Sequence, residues 1–91
     1  MPMMAVWMKV DGSRIAQSLE EAHEKLETTE GDVVLDFCSV GRMDAEGLKA
    51  MERFAAAAEQ KKVKVALRGV NVDAYKVLKL VKLAPRFSFV N

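Results

Sequence analysis

The chain has 91 residues, of which 51% are hydrophobic and 30% are charged, and its formal net charge is +1. This length suits one small domain with a modest core and excludes a pair of independently folded domains. The composition is ordinary for a globular protein. We therefore expect a single domain over residues 1–91.

The sequence carries no signal for export or membrane insertion. No apolar run approaches the roughly 18 residues that a membrane-spanning helix needs. The N-terminal stretch of residues 1–9 has too short an apolar part for a signal peptide and lacks a basic leader. A single cysteine, Cys38, excludes an internal disulfide. These features predict a protein of the reducing cytoplasm.

Charge is distributed unevenly along the chain. Residues 1–60 carry 12 acidic and 6 basic side chains, whereas residues 61–91 carry 1 acidic and 8 basic side chains. An acidic first helix and a basic last helix, each exposed to solvent, would explain this asymmetry. Alternatively, the basic half faces an acidic partner or a neighbouring copy of the chain, as in a homodimer. The sequence leaves both explanations open.

Hydrophobic periodicity predicts strands that alternate with helices. Period-2 alternation or short apolar runs indicate strands at residues 6–10, 33–37, 63–67 and 87–90. Stripes at helical spacing indicate helices over residues 15–26, 48–58 and 74–81. This order predicts an α/β fold with mostly parallel strands. Because the first and third strands are polar on one face, we expect all helices on the other face.

Turn and cap residues mark the predicted boundaries. Residues 11–13 (Asp-Gly-Ser) form a turn signal and offer caps for the first helix, and Gly31 suits a left-handed exit from it. Asp44 and Asn71 are the predicted N-caps of the second and third helices. Lys61 and Lys62 are expected to close the second helix near the negative end of its dipole.

The segment from the second strand to the second helix is the most informative part of the chain. It ends in Asp44-Ala45-Glu46-Gly47-Leu48 and resembles the STAS family, whose best-known members are bacterial anti-sigma factor antagonists. In that family the loop reads Asp-Ser-Ser/Thr-Gly-Leu, and a partner kinase phosphorylates the second hydroxyl residue. Asp44, Gly47 and Leu48 match this pattern, but Ala45 and Glu46 stand at the hydroxyl positions.

The resemblance implies a non-catalytic module that binds a regulatory protein such as an anti-sigma factor with serine kinase activity. It implies a STAS fold and assigns partner binding to Arg42, Met43, Asp44, Ala45, Glu46 and Gly47. The phosphorylated position falls on Glu46, which cannot accept phosphate in the same stable way. Glu46 either imitates the phosphorylated state, marks a branch that phosphorylation does not control, or is only a favourable first-turn helix residue.

A second resemblance involves the C-terminal part of the chain. Residues 65–71 (Val-Ala-Leu-Arg-Gly-Val-Asn), followed by Tyr75, Lys79-Leu80 and Leu83, are similar to MlaB-type STAS proteins. These are small cytoplasmic subunits of an ABC transporter that moves phospholipid, so the implied partner is its ATPase. Their loop usually offers Thr directly after the Asp, where this chain has Ala45. Compared with longer STAS domains, we expect this chain to lack an extra N-terminal strand and the final helix.

Other functions find little support in the sequence. Asp36 and Asp44 lack an accompanying nucleophile or phosphate-binding glycine loop, so we do not expect an enzyme. His23 has no partner at metal-ligand spacing, and we predict neither a metal site nor a cofactor. Cys38 is expected to be a small buried hydrophobe, since only Arg42 might supply a cation beside it.

The remaining candidates concern surfaces and packing. The basic stripe of Lys76, Lys79 and Lys82 has no interleaved aromatic residues, so we do not expect nucleic-acid binding. Trp7 and Met8 are predicted to pack in the core or at the sheet edge. Gly47 costs about 1 kcal/mol relative to Ala inside a helix. A glycine kept in the first turn at this cost indicates that space is needed there, as at a contact with a partner.

Overall fold

A computed structural model describes residues 5–90, and its strands and helices alternate as the periodicity predicts. The predicted domain of residues 1–91 and the N-terminal stretch considered as a leader both include residues outside this range. In chain order the elements are β1 (Ala5–Lys9), α1 (Ile15–Leu26), β2 (Asp32–Asp36), α2 (Ala45–Lys61), β3 (Val65–Arg68), α3 (Val72–Leu80) and β4 (Ser88–Val90), with a 3-10 turn at Ala84–Arg86 before β4.

The four strands form one sheet in the order β1-β2-β3-β4, and every neighbouring pair is parallel. The register aligns Met8, Leu35, Leu67 and Phe89 in one row across the sheet. Parallel neighbours need long crossover connections, which the helices provide. The prediction of four mostly parallel strands in an α/β fold is confirmed.

The two faces of the sheet differ in burial. Met8, Leu35 and Leu67 are buried, whereas the adjacent row begins with Trp7, which is 59% exposed. The helices contribute their apolar stripes to the same buried cluster, notably through Leu19 of α1 and Phe54 of α2. The helices therefore cover one face only, as predicted. Of the two residues expected to pack, Met8 lies in the core and Trp7 lies on the open face.

The end of α2 explains why β3 starts later than the periodicity suggests. Lys62 adopts a left-handed conformation with φ of 58°, and the N–H of Val63 then donates to the carbonyl of Ala58 at 2.9 Å. Val63 thus satisfies a terminal carbonyl of the helix. The prediction that Val63 belongs to the third strand is wrong, since β3 begins at Val65.

The bounds of α1 agree with prediction, but the residues that flank its two ends do not act as expected. Its N-cap position is Arg14, which makes no capping side-chain bond. The Asp11 carboxylate instead accepts from the N–H of Ser13 at 2.9 Å, closing the turn before the helix. Gly31 does have a positive φ of 99°. However, α1 ends at Leu26, so Gly31 shapes the entry to β2 and is not the helix exit.

Candidate partner-binding loop

The residues that follow the first three strands meet at the carboxyl edge of the parallel sheet. The residues from Phe37 to Asp44 connect β2 to α2 and lie between the connections that follow β1 and β3. Hydrogen bonds join all three connections, as described below. Arg42, Met43 and Asp44 therefore lie on a loop that is anchored from both sides, and Ala45, Glu46 and Gly47 form the first turn of the helix that follows it.

Ser39 anchors the loop on the β1 side. Its hydroxyl donates to the carbonyl of Val10 at 3.0 Å and accepts from the N–H of Gly12 at 3.1 Å. A Cβ atom at Gly12 would lie 1.9 Å from the carbonyl oxygen of Ser39. Only glycine permits this approach of the two backbones. The hydroxyl of Ser39 consequently serves the structure of the loop.

Asn71 anchors the loop on the α3 side. Its side-chain amide donates to the carbonyls of Val40 and Gly41, each at 2.9 Å. Its side-chain oxygen accepts from the N–H of Ala74 at 2.7 Å, which confirms the predicted N-cap. One side chain thus starts α3 and fixes the loop before α2. The sequence signalled the cap, but nothing in it signalled the bond to the loop.

Asp44 is the N-cap of α2, as predicted. Its carboxylate accepts from the N–H of Gly47 at 2.6 Å, and the N–H of Leu48 donates to its backbone carbonyl at 2.9 Å. A cap of this kind stabilises a helix by about 0.5–2 kcal/mol. The side chain of Asp44 is therefore engaged within the domain. Glu46, two residues later, is exposed and makes no hydrogen bond among the described residues.

The six predicted binding residues are close together but unequally available. Arg42, Asp44, Ala45 and Glu46 are exposed, Met43 is half-buried against the core, and Gly47 is buried. A Cβ at residue 47 would lie 3.0 Å from Cγ2 of Ile15 and 2.9 Å from Oδ1 of Asp44. The space at Gly47 is thus used by packing inside the domain, which explains the glycine without a partner.

Two grooves border the loop. The larger, about 830 Å³, lies between the starts of α1 and α2, and Glu46 lines it together with Arg14, Lys49 and Arg53. The carboxylates of Glu20 and Asp44 also line it, and among the described residues none of the three cations forms an ion pair with Glu46. The smaller groove runs between the loop and α3 and is lined by Arg42, Met43, Asp73, Lys76 and Val77.

Cys38 is exposed, so the prediction of a buried hydrophobe is wrong. The turn after β2 directs it to the open side of the sheet, where Arg68 donates to its Sγ at 3.3 Å. The neighbouring cation is therefore Arg68, not Arg42. A hydrogen bond with Asp36, reinforced by partial burial and the Asp36 charge, raises the pKa of the Cys38 thiol above its ordinary value. Its thiolate is disfavoured.

The carboxylates near the loop have structural partners. Asp36 accepts from the N–H of Cys38 at 2.9 Å, and hydrogen bonds from Cys38 lower the pKa of Asp36. Within residues 5–90 no group of three or more His, Cys, Asp or Glu side chains could hold a metal ion. His23 is exposed on α1. Over the same range, no helix is both long and apolar enough to cross a membrane.

Comparison with known proteins identifies the class of this domain. The family model of the STAS domain matches residues 4–91, and the chain belongs to this family. The resemblance rested on Asp44, Gly47 and Leu48, and the structure places all three at the capped start of the helix after β2. No curated protein matches the sequence significantly.

Two solved structures show the same fold. A candidate anti-sigma factor antagonist from Thermotoga maritima aligns with a TM-score of 0.74 at 15% identity, covering 100% of this chain and 75% of its own. A sulfate transporter family protein from Wolinella succinogenes aligns with a TM-score of 0.78 at 22% identity, covering 97% of this chain and 78% of its own. At these identities the likeness concerns the fold.

Proposed function

We propose that this chain is a non-catalytic regulatory binding module of the anti-sigma factor antagonist type. It binds a bacterial cytoplasmic partner, an anti-sigma factor related to serine kinases, through residues 42–47 and the start of α2. One observation carries the proposal. The Glu46 carboxylate is exposed at the start of α2, close to the capping residue Asp44. This is the position at which the family carries its phosphorylated hydroxyl.

In this proposal, phosphorylation does not control binding. Neither Ala45 nor Glu46 offers a hydroxyl group, and the nearest one in the sequence, on Ser39, is bonded to Val10 and Gly12. A phosphate group would bring nearly two negative charges, whereas the carboxylate of Glu46 brings one. The surface therefore carries a negative charge that is constant and smaller than that of a phosphorylated surface. The partner binds a chain that does not alternate between two charge states.

The alternative partner is the ATPase of a phospholipid-transporting ABC complex, which would dock on the same loop. The second resemblance is the argument for it, but Asn71 within that segment has a role inside the domain as cap and loop anchor. We therefore favour the regulatory module. Neighbouring genes discriminate the two: a kinase or sigma factor gene supports the first, and a permease and ATPase pair supports the second.

The proposal is tested with the partner that gene neighbourhood identifies. The isotope-labelled chain is titrated with the unlabelled partner, and the backbone amide shifts of residues 42–47 are followed. We expect the largest shifts there when the partner is the kinase-like protein. Shifts produced only by an ATPase subunit would support the alternative, and the absence of shifts at the loop with either protein would refute both.

A parallel experiment tests the loss of the switch. After incubation with the kinase-like partner and ATP, mass spectrometry should find no phosphate on residues 42–48. Stoichiometric phosphate on Ser39 would overturn this part of the proposal. A known phosphorylatable antagonist of the same kinase serves as the positive control for kinase activity.

A further inference from the structure

We propose that the outer face of α3 is a second protein-binding surface, which takes an acidic partner with apolar anchor residues. This surface, called here the α3 surface, consists of Val72, Tyr75, Lys76, Lys79 and Leu80. All five side chains are exposed. Their spacing of three and four residues puts them on one side of the helix, opposite the buried Ala74 and Leu78.

The α3 surface is more apolar than a solvated helix requires. Leu80 is 82% exposed, Val72 is 67% exposed and Tyr75 is 40% exposed. Tyr75 packs edge-on against Phe89 of β4, with ring centroids 5.0 Å apart, so the apolar surface continues onto the edge strand. Several large exposed apolar side chains on one side of the molecule are typical of an interaction site.

Uncompensated positive charge accompanies these apolar residues. Among the described residues, Lys76, Lys79 and the nearby Lys82 form neither an ion pair nor a side-chain hydrogen bond, since the ion pairs there are Arg53–Glu20 and Arg86–Glu59. Asp73 is the one acidic residue in the whole basic part of the chain, residues 61–91. Charge complementarity therefore points to an acidic partner.

A second copy of this chain fits the α3 surface poorly. Its most acidic region is α1, which would supply the complementary charge through Glu20, Glu21 and Glu24. However, the large exposed apolar side chains of the described residues lie on β1, α3, β4 and Val81, and α1 has none. Pairing α3 with α1 would bury Leu80 and Val72 against carboxylates. The partner must supply apolar anchors as well as charge.

A membrane surface fits less well than a protein. Lys76 and Lys79 stand between Val72 and Leu80 on the same face of the helix, so inserting the apolar pair into lipid would carry both ammonium groups inward. Membrane-surface helices separate a continuous apolar face from a charged one. A protein partner can place a carboxylate opposite each lysine and an apolar side chain between them.

The test uses a synthetic acidic probe and a charge-reversed control. The probe is a helical peptide of roughly 18 residues, long enough to form a helix, with Leu every third or fourth position and Glu between. In the control peptide every Glu is replaced by Lys. Binding is followed by the amide shifts of the labelled full chain. Lys76 shares a groove with Arg42 and Met43, so the signals of Tyr75, Lys79 and Leu80 report on the α3 surface and those of residues 44–47 report on the loop. The two proposals therefore fail separately.

We expect the acidic peptide to shift residues 72–80 and the basic peptide to leave them unchanged. Binding should weaken severalfold when salt is raised from low to high concentration, because salt screens the exposed ion pairs between the lysines of the α3 surface and the glutamates of the peptide. The double variant Lys76→Glu, Lys79→Glu should bind at least about tenfold more weakly. The matched double variant Lys25→Glu, Lys64→Glu changes the charge equally on other exposed surfaces and should bind normally. Unchanged thermal melts would show that both variants are folded.

Three results would overturn the proposal. The first is no shift of residues 72–80 at millimolar acidic peptide, or equal shifts with both peptides. The second is binding to vesicles of phosphatidylcholine and phosphatidylglycerol with no binding to the peptide, which would assign the surface to anionic lipid. The third is a concentration-dependent shift of both α3 and α1 in the chain alone, which would assign it to self-association.

Discussion

Gly47 of α2 packs directly against Ile15 of α1, so closely that a methyl group at residue 47 would lie 3.0 Å from Cγ2 of Ile15. The same methyl group would lie 2.9 Å from the carboxylate oxygen of Asp44 that caps the helix. One glycine therefore lets the starts of two helices meet and leaves room for the cap. A feature that suggested a partner contact in the sequence has an explanation inside the domain.

The first prediction concerns this contact. Gly47→Ala should gain about 1 kcal/mol of helix propensity but lose more through displacement of Ile15 and of the Asp44 cap, leaving a net loss of stability. Gly41→Ala is the control, because a Cβ at Gly41 meets no atom within 4 Å. It should be neutral or slightly stabilising. Urea denaturation of both variants measures the difference, and an equally stable or more stable Gly47→Ala protein would contradict the packing argument.

The second prediction concerns the cap itself. Asp44→Ala removes the acceptor for the N–H of Gly47 and should lower the free energy of unfolding by about 0.5–2 kcal/mol. Asp44→Asn keeps an oxygen acceptor and removes the charge, so it should retain most of the stability. Thermal melts of the three proteins make the comparison. Equal losses for Ala and Asn would show that the charge, and not the hydrogen bond, stabilises the helix start.

The third prediction concerns the reactivity of Cys38. The thiolate is the reactive form, and hydrogen bonding to Asp36 raises the pKa of the thiol while Arg68 lowers it. Asp36→Asn should therefore shift the pH profile of iodoacetamide alkylation to lower pH, and Arg68→Gln should shift it to higher pH. The urea-unfolded chain supplies the reference rate. Profiles that move together, or not at all, would refute the assigned contacts.

The fourth prediction concerns a surface ion pair. Arg86 donates to both carboxylate oxygens of Glu59, at 2.9 and 2.7 Å, and this lowers the pKa of Glu59 from 4.5. The ionised carboxylate is favoured in the folded state, so the pair contributes stability above that value and loses it as pH falls through the folded pKa. Arg86→Gln should be less stable than the wild type at neutral pH.

The difference should disappear in acid, once Glu59 is protonated in both proteins. Denaturant midpoints across the acidic range test this, with Arg53→Gln as the control because Arg53 approaches Glu20 only to 3.9 Å and both are exposed. A difference that is independent of pH would mean that Arg86 stabilises the fold through packing of its side chain.

Local rules predicted most of the fold. Alternation at Met8 and Leu67 identified the buried face of the sheet, because side chains on a strand point alternately to its two sides. Asp44 and Asn71 were recognisable as caps, since a short polar side chain before an apolar helical stripe has few other roles. These signals lie within a few residues of each other in the chain, so they do not depend on the tertiary structure.

The missed features depend on neighbours that are distant in sequence. Cys38 is close to Arg68 because β2 and β3 are paired, and Asn71 reaches Gly41 because two connections end at the same edge of the sheet. Ile15 meets Gly47 through the packing of α1 against α2. Neither periodicity nor cap chemistry carries such information, which is why the loop was recognised while its supports were not.

The most direct test of the central claim is the affinity of the kinase-like partner for the Glu46→Ser variant. Because Glu46 has no bond within the described residues, this change should cost only a few tenths of a kcal/mol to about 1 kcal/mol in stability, the scale of a first-turn dipole interaction. Glu21→Ser removes the same charge from the exposed face of α1 and serves as the matched control.

Calorimetry should show that Glu46→Ser changes the binding free energy by about 1 kcal/mol or more, as a residue inside a contact does. Glu21→Ser should leave the affinity unchanged, and thermal melts should show both variants folded. An affinity of the folded Glu46→Ser protein equal to that of the wild type would contradict the account. Glu46 would then be a favourable first residue of the helix and no part of a partner-binding surface.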